Sequence, residues 1–271
     1  MIPKYIHYCW FGGNPLPEIA VKCIESWKKF FPDYKIIEWN EKNFDLNACE
    51  YCREAYEAKK WAFVSDYARF KILEEYGGLY FDTDVEVIKS FEDILQDGAF
   101  IGRERITNSY PVNAGLGLAA EAGMPLLDEI LEDYAHSHFE MKEAGKMLTV
   151  VERVTGIMEK HGLTEQQPSF QSVEGMKVYP PEYFCPYDYN TGNLKITENT
   201  HSIHWYDASW LDEKMQKRRS VCVKIQKHIK GRPGEKIAKF YTSCSYYWEW
   251  IRTGQFDIIK EKIKKKFKIG K

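Results

Sequence analysis

The chain has 271 residues, 44% of them hydrophobic and 15% aromatic, enough for one large domain or one domain with an appendage. A formal net charge of −2 provides no overall basic field, so no nucleic-acid partner is expected. No apolar run reaches the length of a membrane span, and the start "MIPKYIHYCWFGG" lacks a basic region before an apolar core, so no signal peptide is expected.

Residues 4–11, "KYIHYCWF", are a short apolar run ended by Gly12-Gly13. Pro17 opens a helix with Ile19, Cys23, Ile24, Trp27 and Phe30 at helical spacing. Pro32-Asp33 turns the chain into the strand "YKIIEWN". Cys49 and Cys52 form a CxxC with no second pair at zinc-ribbon spacing. They read as two thiols at one end of a helix, and the seven cysteines as reduced thiols of a cytoplasmic protein. "AFVSDYARFKILEEY", residues 62–76, is helical and stopped by Gly77-Gly78. "LYFDTDVEVI", "AFIGRE" and "NAGLGLAA" follow as strands, the first over residues 79–88. A helix over 125–139, a helical stretch near 140–162 and the extended "MKVYPPEYFCP" complete this part. Alternating strands and helices predict an α/β fold, a mostly parallel sheet covered on both faces, with ligands beyond the strands' carboxyl ends.

Asp82, Asp84 and Glu86 interrupt an apolar strand. Two apart on a strand, Asp82 and Asp84 point to one side and can share a hard divalent cation such as Mg²⁺ or Mn²⁺. An EF-hand loop starting at Asp82 needs glycine where Val87 stands. A phosphatase of the aspartate-nucleophile type wants Thr or Val where Glu86 stands. A D-x-D that holds a metal against the diphosphate of a nucleotide sugar remains, beside an acidic strand end with no ligand.

"AFVSDYARFKILEEYGGLYFDTDVEV" and the opening "IPKYIHYCWFGGNPLPEIAVKCIESWKKFFPDYKIIEWN" together resemble a family of retaining, DXD-containing glycosyltransferases. That family includes capsular-polysaccharide sugar transferases, fungal outer-chain mannosyltransferases and large glucosylating toxins. The likeness runs from Ile2 to about Trp210 and implies a GT-A-type nucleotide-sugar-binding domain over residues 1–210. Its donor would be a nucleoside diphosphate sugar, a UDP-hexose first among them, and its cofactor Mn²⁺ or Mg²⁺.

Position by position, the resemblance implies that Trp10 stacks on the base, although a core aromatic at a strand end reads the same way. Asp66 and Arg69, three apart on one helix face, would grip donor sugar and phosphate oxygens; otherwise they are an ion pair. Asp82 would bind donor hydroxyls and reach the metal, Asp84 would bind the metal directly, and Tyr80 would lie beside them or in the core. Asn113 would sit near donor sugar or acceptor, or at a turn. In "ENTHSIHWYDASW", residues 198–210, the resemblance points to His204, Ser209 and Trp210 as late metal and diphosphate contacts, with His201 an open alternative to His204.

The reaction implied is hexose transfer to the hydroxyl of a glycan or lipid-linked glycan in bacterial surface or capsular polysaccharide synthesis. A metal and Arg69 would clamp the departing diphosphate of an oxocarbenium-like transition state. Retention would arise by double displacement or by same-face attack within an ion pair; no spare carboxylate stands out as a nucleophile, and the resemblance implies same-face attack. A non-catalytic nucleotide-sugar or glycan binder and a metal-dependent phosphohydrolase are the competing classes.

Residues 211–271 form a basic, helical extension broken at Gly231–Gly234. From residue 256, Ile259, Ile263 and Phe267 recur every four residues beside seven lysines. Such a helix fits the inner face of an anionic membrane, or docks its stripe on the domain.

Overall fold

The computed structural model describes residues 1–106, 109–139, 148–189, 191–207, 213–229 and 231–267, except for the side chains of residues 213 and 263–267. The chain divides into two compact units, residues 1–187 with 194–210, and residues 188–193 with 211–271.

The first unit opens with β1 (Tyr5–Cys9), α1 (Glu18–Phe30) and β2 (Lys35–Trp39). Pro17 stands at the N-cap of α1, where its fixed φ suits a helix start. In α2 (Glu50–Glu57) the CxxC has a local use: Cys49 is the N-cap and its sulfur accepts the Cys52 amide at 3.3 Å. The next helix, α3 (Trp61–Tyr76), is buried around most of its circumference and ends at Gly77, whose φ of +59° disfavours any side chain. Then come β3 (Gly78–Tyr80), β4 (Val85–Val87), α4 (Glu92–Gln96), β5 (Phe100–Arg103) and β6 (Val112–Ala120). They are followed by α5 (Pro125–Ala135), α6 (Val150–Lys160), β7 (Gln171–Val173), β8 (Met176–Tyr179) and α7 (Pro181–Phe184). Short strands β9 (Tyr187–Asp188), β10 (Asn193–Leu194) and β11 (Ser202–His204) finish the strand set.

The seven-stranded sheet has the order β2-β1-β3-β6-β5-β8-β7. β1 is parallel to β2 and β3, β6 is antiparallel to β3 and β5, β8 is parallel to β5, and β7 is antiparallel to β8. Five strands thus share one direction, which makes the sheet mostly parallel within a mixed α/β fold. One face is covered by a core that includes Tyr67, Leu126 and Ile157 from α3, α5 and α6. The other carries Trp27 and Cys23 of α1 against Phe81, Phe91 and Phe184. Apolar strands in such a sheet are buried on both faces, and β6 is buried at all nine positions.

Two expectations need correction. The stretch 79–88 is not one strand. It breaks at the acids: Val85 N donates to Asp82 O at 3.0 Å, a turn, and β4 pairs antiparallel with β11 instead of joining the large sheet. Asp82 and Asp84 therefore converge across a turn rather than along one strand face. The helix begun at Pro125 ends at Ala135, not Phe139. Within the stretch near 140–162 the described helix is α6, fixed by a Thr149–Glu152 capping box; residues 140–147 lie outside the described residues.

The second unit contains α8 (Glu213–His228), α9 (Arg232–Arg252) and α10 (Phe256–Phe267). Arg218 on α8 donates to Ser245 at 2.8 Å, pairs with Glu249 and lies 4.1 Å over the Tyr246 ring, all on α9. Gly234 lets α9 begin tight against the preceding chain, because a Cβ there would collide with the Ile229 carbonyl. No helix among the described residues is long and apolar enough to cross a membrane.

Candidate active site

One edge of the sheet gathers the site. β1, β2, β3 and β5 run in one direction, so their carboxyl ends share an edge, and antiparallel β6 brings its amino end there. Trp10 follows β1, Asp82 and Asp84 follow β3, Glu104 follows β5, and Asn113 is the second residue of β6. Open α/β sheets bind ligands at this edge.

Asp82 is held from three sides. Its amide donates to Gly115 O at 3.1 Å, the Tyr80 hydroxyl donates to its Oδ1 at 3.2 Å, and Arg69 Nη2 lies 3.3 Å from the same oxygen. Gly115 is the floor: a Cβ there would collide with Asp82 Oδ2. Glycine inside a strand marks such a close approach. Arg69 also pairs with Asp66 Oδ1 at 2.7 Å, donates through Nε to Ser65 O at 3.2 Å and lies 4.9 Å over the Tyr80 ring. Both members of the pair are buried, so neither is a solvated surface group. Burial pushes the Asp66 carboxyl above its ordinary range while Arg69 pulls against the shift. Burial also works against the Arg69 charge, but Asp82 and Asp66 outweigh it and hold the guanidinium protonated. Its Nη1 is buried with no partner among the described residues, a donor left for an oxygen ligand.

Asp84 Oδ1 lies 3.0 Å from His204 Nε2, and its Oδ2 accepts the Asp207 amide at 2.8 Å. Burial pushes the Asp84 carboxyl up, but His204 and the hydrogen bonds bring it below its ordinary value. Burial lowers the His204 imidazole, and Asp84 more than reverses that. Asp82, Asp84 and His204 each offer one ligand atom, all within 4.8 Å of one another. Two carboxylate oxygens and an imidazole nitrogen fit a divalent cation such as Mn²⁺ or Mg²⁺. Of the two histidines, His204 is the one grouped with Asp82 and Asp84. His201 is tied to Asp93 at 3.1 Å and to Asn199 O at 2.8 Å, and stacks on Tyr183. Glu86, the third acid of the motif, is engaged elsewhere: it pairs with Lys22 at 2.7 Å and accepts the Trp205 indole N–H at 2.9 Å.

Three residues join the site that the motifs did not single out: Gly115, Glu104 and Tyr206. Asn113 donates through Nδ2 to Glu104 Oε2 at 2.8 Å and accepts the Gly115 amide at 2.8 Å through Oδ1. The Tyr206 hydroxyl donates to the same Glu104 oxygen at 2.9 Å, and its ring meets that of His204 edge to face, centroids 4.0 Å apart. Glu104 carried a weaker form of the signal that marked Asp82, an acid at the end of a largely apolar stretch, here directly after Arg103. Tyr206 has no such signal. It reaches the site through a left-handed φ of +51°, rare for a side chain of its size. Trp10 is half-buried at the end of β1 and donates its indole N–H to Asn14 O at 2.6 Å. Ser209 and Trp210 lie outside the described residues.

With this geometry in place, the relatives are informative. Residues 17–101 match the protein family described as "Glycosyltransferase sugar-binding region containing DXD motif". That match spans the helix and strand that lead into Asp82 and Asp84, and it is a likeness to the DXD-containing glycosyltransferases over this segment. The chain is 28% identical over 139 residues to an uncharacterized glycosyltransferase, L373, of Acanthamoeba polyphaga mimivirus, covering 49% of this chain and 55% of that protein. It is 30% identical over 136 residues to inositol phosphoceramide mannosyltransferase 3 of Schizosaccharomyces pombe, covering 49% of this chain and 37% of that protein. The chain thus spans about half the length, or less, of the curated relatives it matches. Among solved structures, the PaToxG glycosyltransferase superposes with a TM-score of 0.44 at 17% identity, covering 59% of this chain and 69% of that one.

Proposed function

We propose that the protein is a metal-dependent hexosyltransferase of the GT-A type that uses a nucleoside diphosphate sugar. The observation that carries this reading is the convergence of Asp82, Asp84 and His204 at the carboxyl edge of the sheet, with Arg69 beside Asp82. A divalent cation bound there supplies charge neutralisation for the departing diphosphate. Arg69 adds a fixed positive charge, with Nη1 unpartnered among the described residues and open to a donor oxygen, and Asp66 and Tyr80 hold that guanidinium in place. Asp66 and Asp82 accept hydrogen bonds from sugar hydroxyls, and Trp10 stacks on the base at the end of β1. Transfer proceeds with retention, by same-face attack. The acceptor is a glycan or lipid-linked glycan hydroxyl of a bacterial surface or capsular polysaccharide, and the protein works in the cytoplasm, peripherally on the inner face of an anionic membrane.

The test is a panel of UDP-glucose, UDP-galactose and GDP-mannose, with Mn²⁺ or Mg²⁺, read as nucleoside diphosphate release and as thermal shift. GDP-mannose is included because one relative is named a mannosyltransferase. A donor at 100 times its Kd adds about 2.7 kcal/mol of stability. Asp84→Asn is expected to lower release by at least about a hundredfold and to weaken Mn²⁺-dependent UDP or GDP binding while the fold survives. Full release by wild type in excess chelator would sink the metal reading. Inorganic phosphate from simple phosphoesters would point to a phosphohydrolase, and nucleotide binding without turnover on any acceptor to a binding protein.

A further inference from the structure

Glu104 makes no direct ion pair among the described residues; the His204 imidazole, which faces Asp84, feels its charge only at longer range. Asp82 and Asp66 pair with Arg69, and Asp84 faces His204 and, in the reading above, the metal. Glu104 is 8% exposed, and its Oε2 receives two neutral donors, Asn113 Nδ2 and the Tyr206 hydroxyl. Those bonds fix the carboxylate without neutralising it. A buried charge is costly unless something of opposite sign meets it. The surroundings enforce this position rather than merely permit it. Tyr206 adopts left-handed backbone geometry, and the same turn brings the Asp207 amide to Asp84 and the Tyr206 ring against His204. From the other side, Asn113 ties Glu104 to the Gly115 amide, directly beneath Asp82. The charge is therefore linked by short, fixed contacts to both carboxylates of the D-x-D.

We propose, resting on the donor-site reading above, that Glu104 is a catalytic residue that stabilises the positive charge developing on the donor sugar at its reacting carbon. In the step, the bond from that carbon to the diphosphate oxygen breaks and its electron pair leaves with the diphosphate. The acceptor oxygen forms the new bond to the same carbon, and its proton passes to the leaving-group oxygen. Glu104 forms no covalent bond. Its negative charge is preorganised for a sugar that is positive only near the transition state, so it acts on turnover more than on donor binding.

Glu104→Gln is the test, because glutamine keeps an oxygen to accept from Asn113 and Tyr206 and removes only the charge. Expected are an unchanged melting temperature, a Kd for UDP or GDP with Mn²⁺ within about threefold of wild type, and release from the active donor slowed by about a hundredfold. A protonated imino sugar, added with the nucleoside diphosphate and Mn²⁺, should lose at least about tenfold in affinity, while a neutral sugar of the same shape should not. A residue that only anchored Asn113 and Tyr206 would leave both readouts untouched. Turnover of Glu104→Gln within threefold of wild type, or equal affinity for the charged imino sugar, overturns the proposal while leaving the donor site standing. A wild type that binds neither UDP nor GDP with Mn²⁺ or Mg²⁺ overturns the donor site, and the role of Glu104 with it.

Discussion

Residues 1–210 carry 20 Lys and Arg against 34 Asp and Glu, a net −14, while residues 211–271 carry 18 against 6, a net +12. The overall −2 conceals two chemically opposite regions. Their interiors differ as much. The first unit holds the two large apolar clusters, whereas among the described residues of the second only Ala238 is a buried apolar side chain. In its place Phe240 is 72% and Trp248 65% exposed. One region is specified by core packing around a polar site. The other is held by paired helices and the Arg218–Glu249–Tyr246 contacts. Mutations of one chemical kind should therefore have different consequences in the two.

The largest contrast lies between two glycines. Gly115 and Gly234 each sit where a Cβ would collide, the first with the Asp82 carboxylate and the second with the Ile229 carbonyl. Gly115→Ala should push Asp82 away from Arg69 and Tyr80. A displacement of about 1 Å at a reacting site can cost about a hundredfold in rate, and that is the loss expected in nucleoside diphosphate release. Gly234→Ala should loosen α8 and α9, seen as faster amide exchange there, with release unchanged. Equal loss of turnover in both variants would break the comparison.

Two tryptophans give the next contrast. Trp27 is fully buried and donates its indole N–H to Val85 O at 2.7 Å, so Trp27→Ala should destabilise the first unit by about 3–5 kcal/mol. Trp248→Ala should stay within about 0.5 kcal/mol. Urea midpoints at constant slope measure both.

His7 offers a pH handle found only in the packed unit. Its Nδ1 accepts the Trp39 indole N–H at 3.0 Å, so Nε2 carries the proton and donates to Gly77 O at 2.9 Å. A second proton would face the Trp39 donor. Burial accordingly holds the imidazole down to about 4, from 6.5. Between these values the unfolded chain binds a proton that the native chain does not. The His7 contribution to stability is therefore fully present above pH 6.5 and falls by about 3 kcal/mol as pH drops to 4, while the raised Asp66 carboxyl acts in the opposite direction. Unfolding of wild type and His7→Gln from pH 7 to 4 checks this; an identical slope in both would remove His7 as the cause.

Much of the first unit was legible because its signals are local. Pro17, Gly77 and the apolar runs mark element ends, and the spacing of Asp66 and Arg69 places them on one helix face. The break of 79–88 was not legible, since Phe81 and Val85 are as apolar as a continuous strand requires and only the pairing of β4 with β11 decides it. Asp82, Asp84 and Asn113 stood out as motif positions. Glu104 and Tyr206 did not, because their meeting depends on β5 lying beside β6 and on one left-handed residue 102 positions later. That His204 meets Asp84 while His201 meets Asp93 likewise depends on tertiary partners.

The smallest effects belong to the basic region. The stripe expected of Ile259, Ile263 and Phe267 falls partly on side chains outside the described residues, but Ile259 lies on α10, and α9 exposes Ile237, Phe240, Trp248 and Ile251. These recur at spacings of three, eight and three, which places them along one side of a helix. Each lysine near an anionic surface contributes about 1 kcal/mol, reduced by salt, so attachment should be reversible and lost at high ionic strength. Sedimentation with anionic and neutral vesicles at low and high salt tests the membrane proposal. A chain ending at Gly254 lacks all seven lysines of the tail and should sediment less while keeping its turnover on soluble acceptors. If it sediments as well as the full chain, α9 makes the contact, and Phe240→Ser with Trp248→Ser should release it. If the full chain ignores anionic vesicles at low salt, the net +12 of residues 211–271 serves some other partner and the membrane proposal fails.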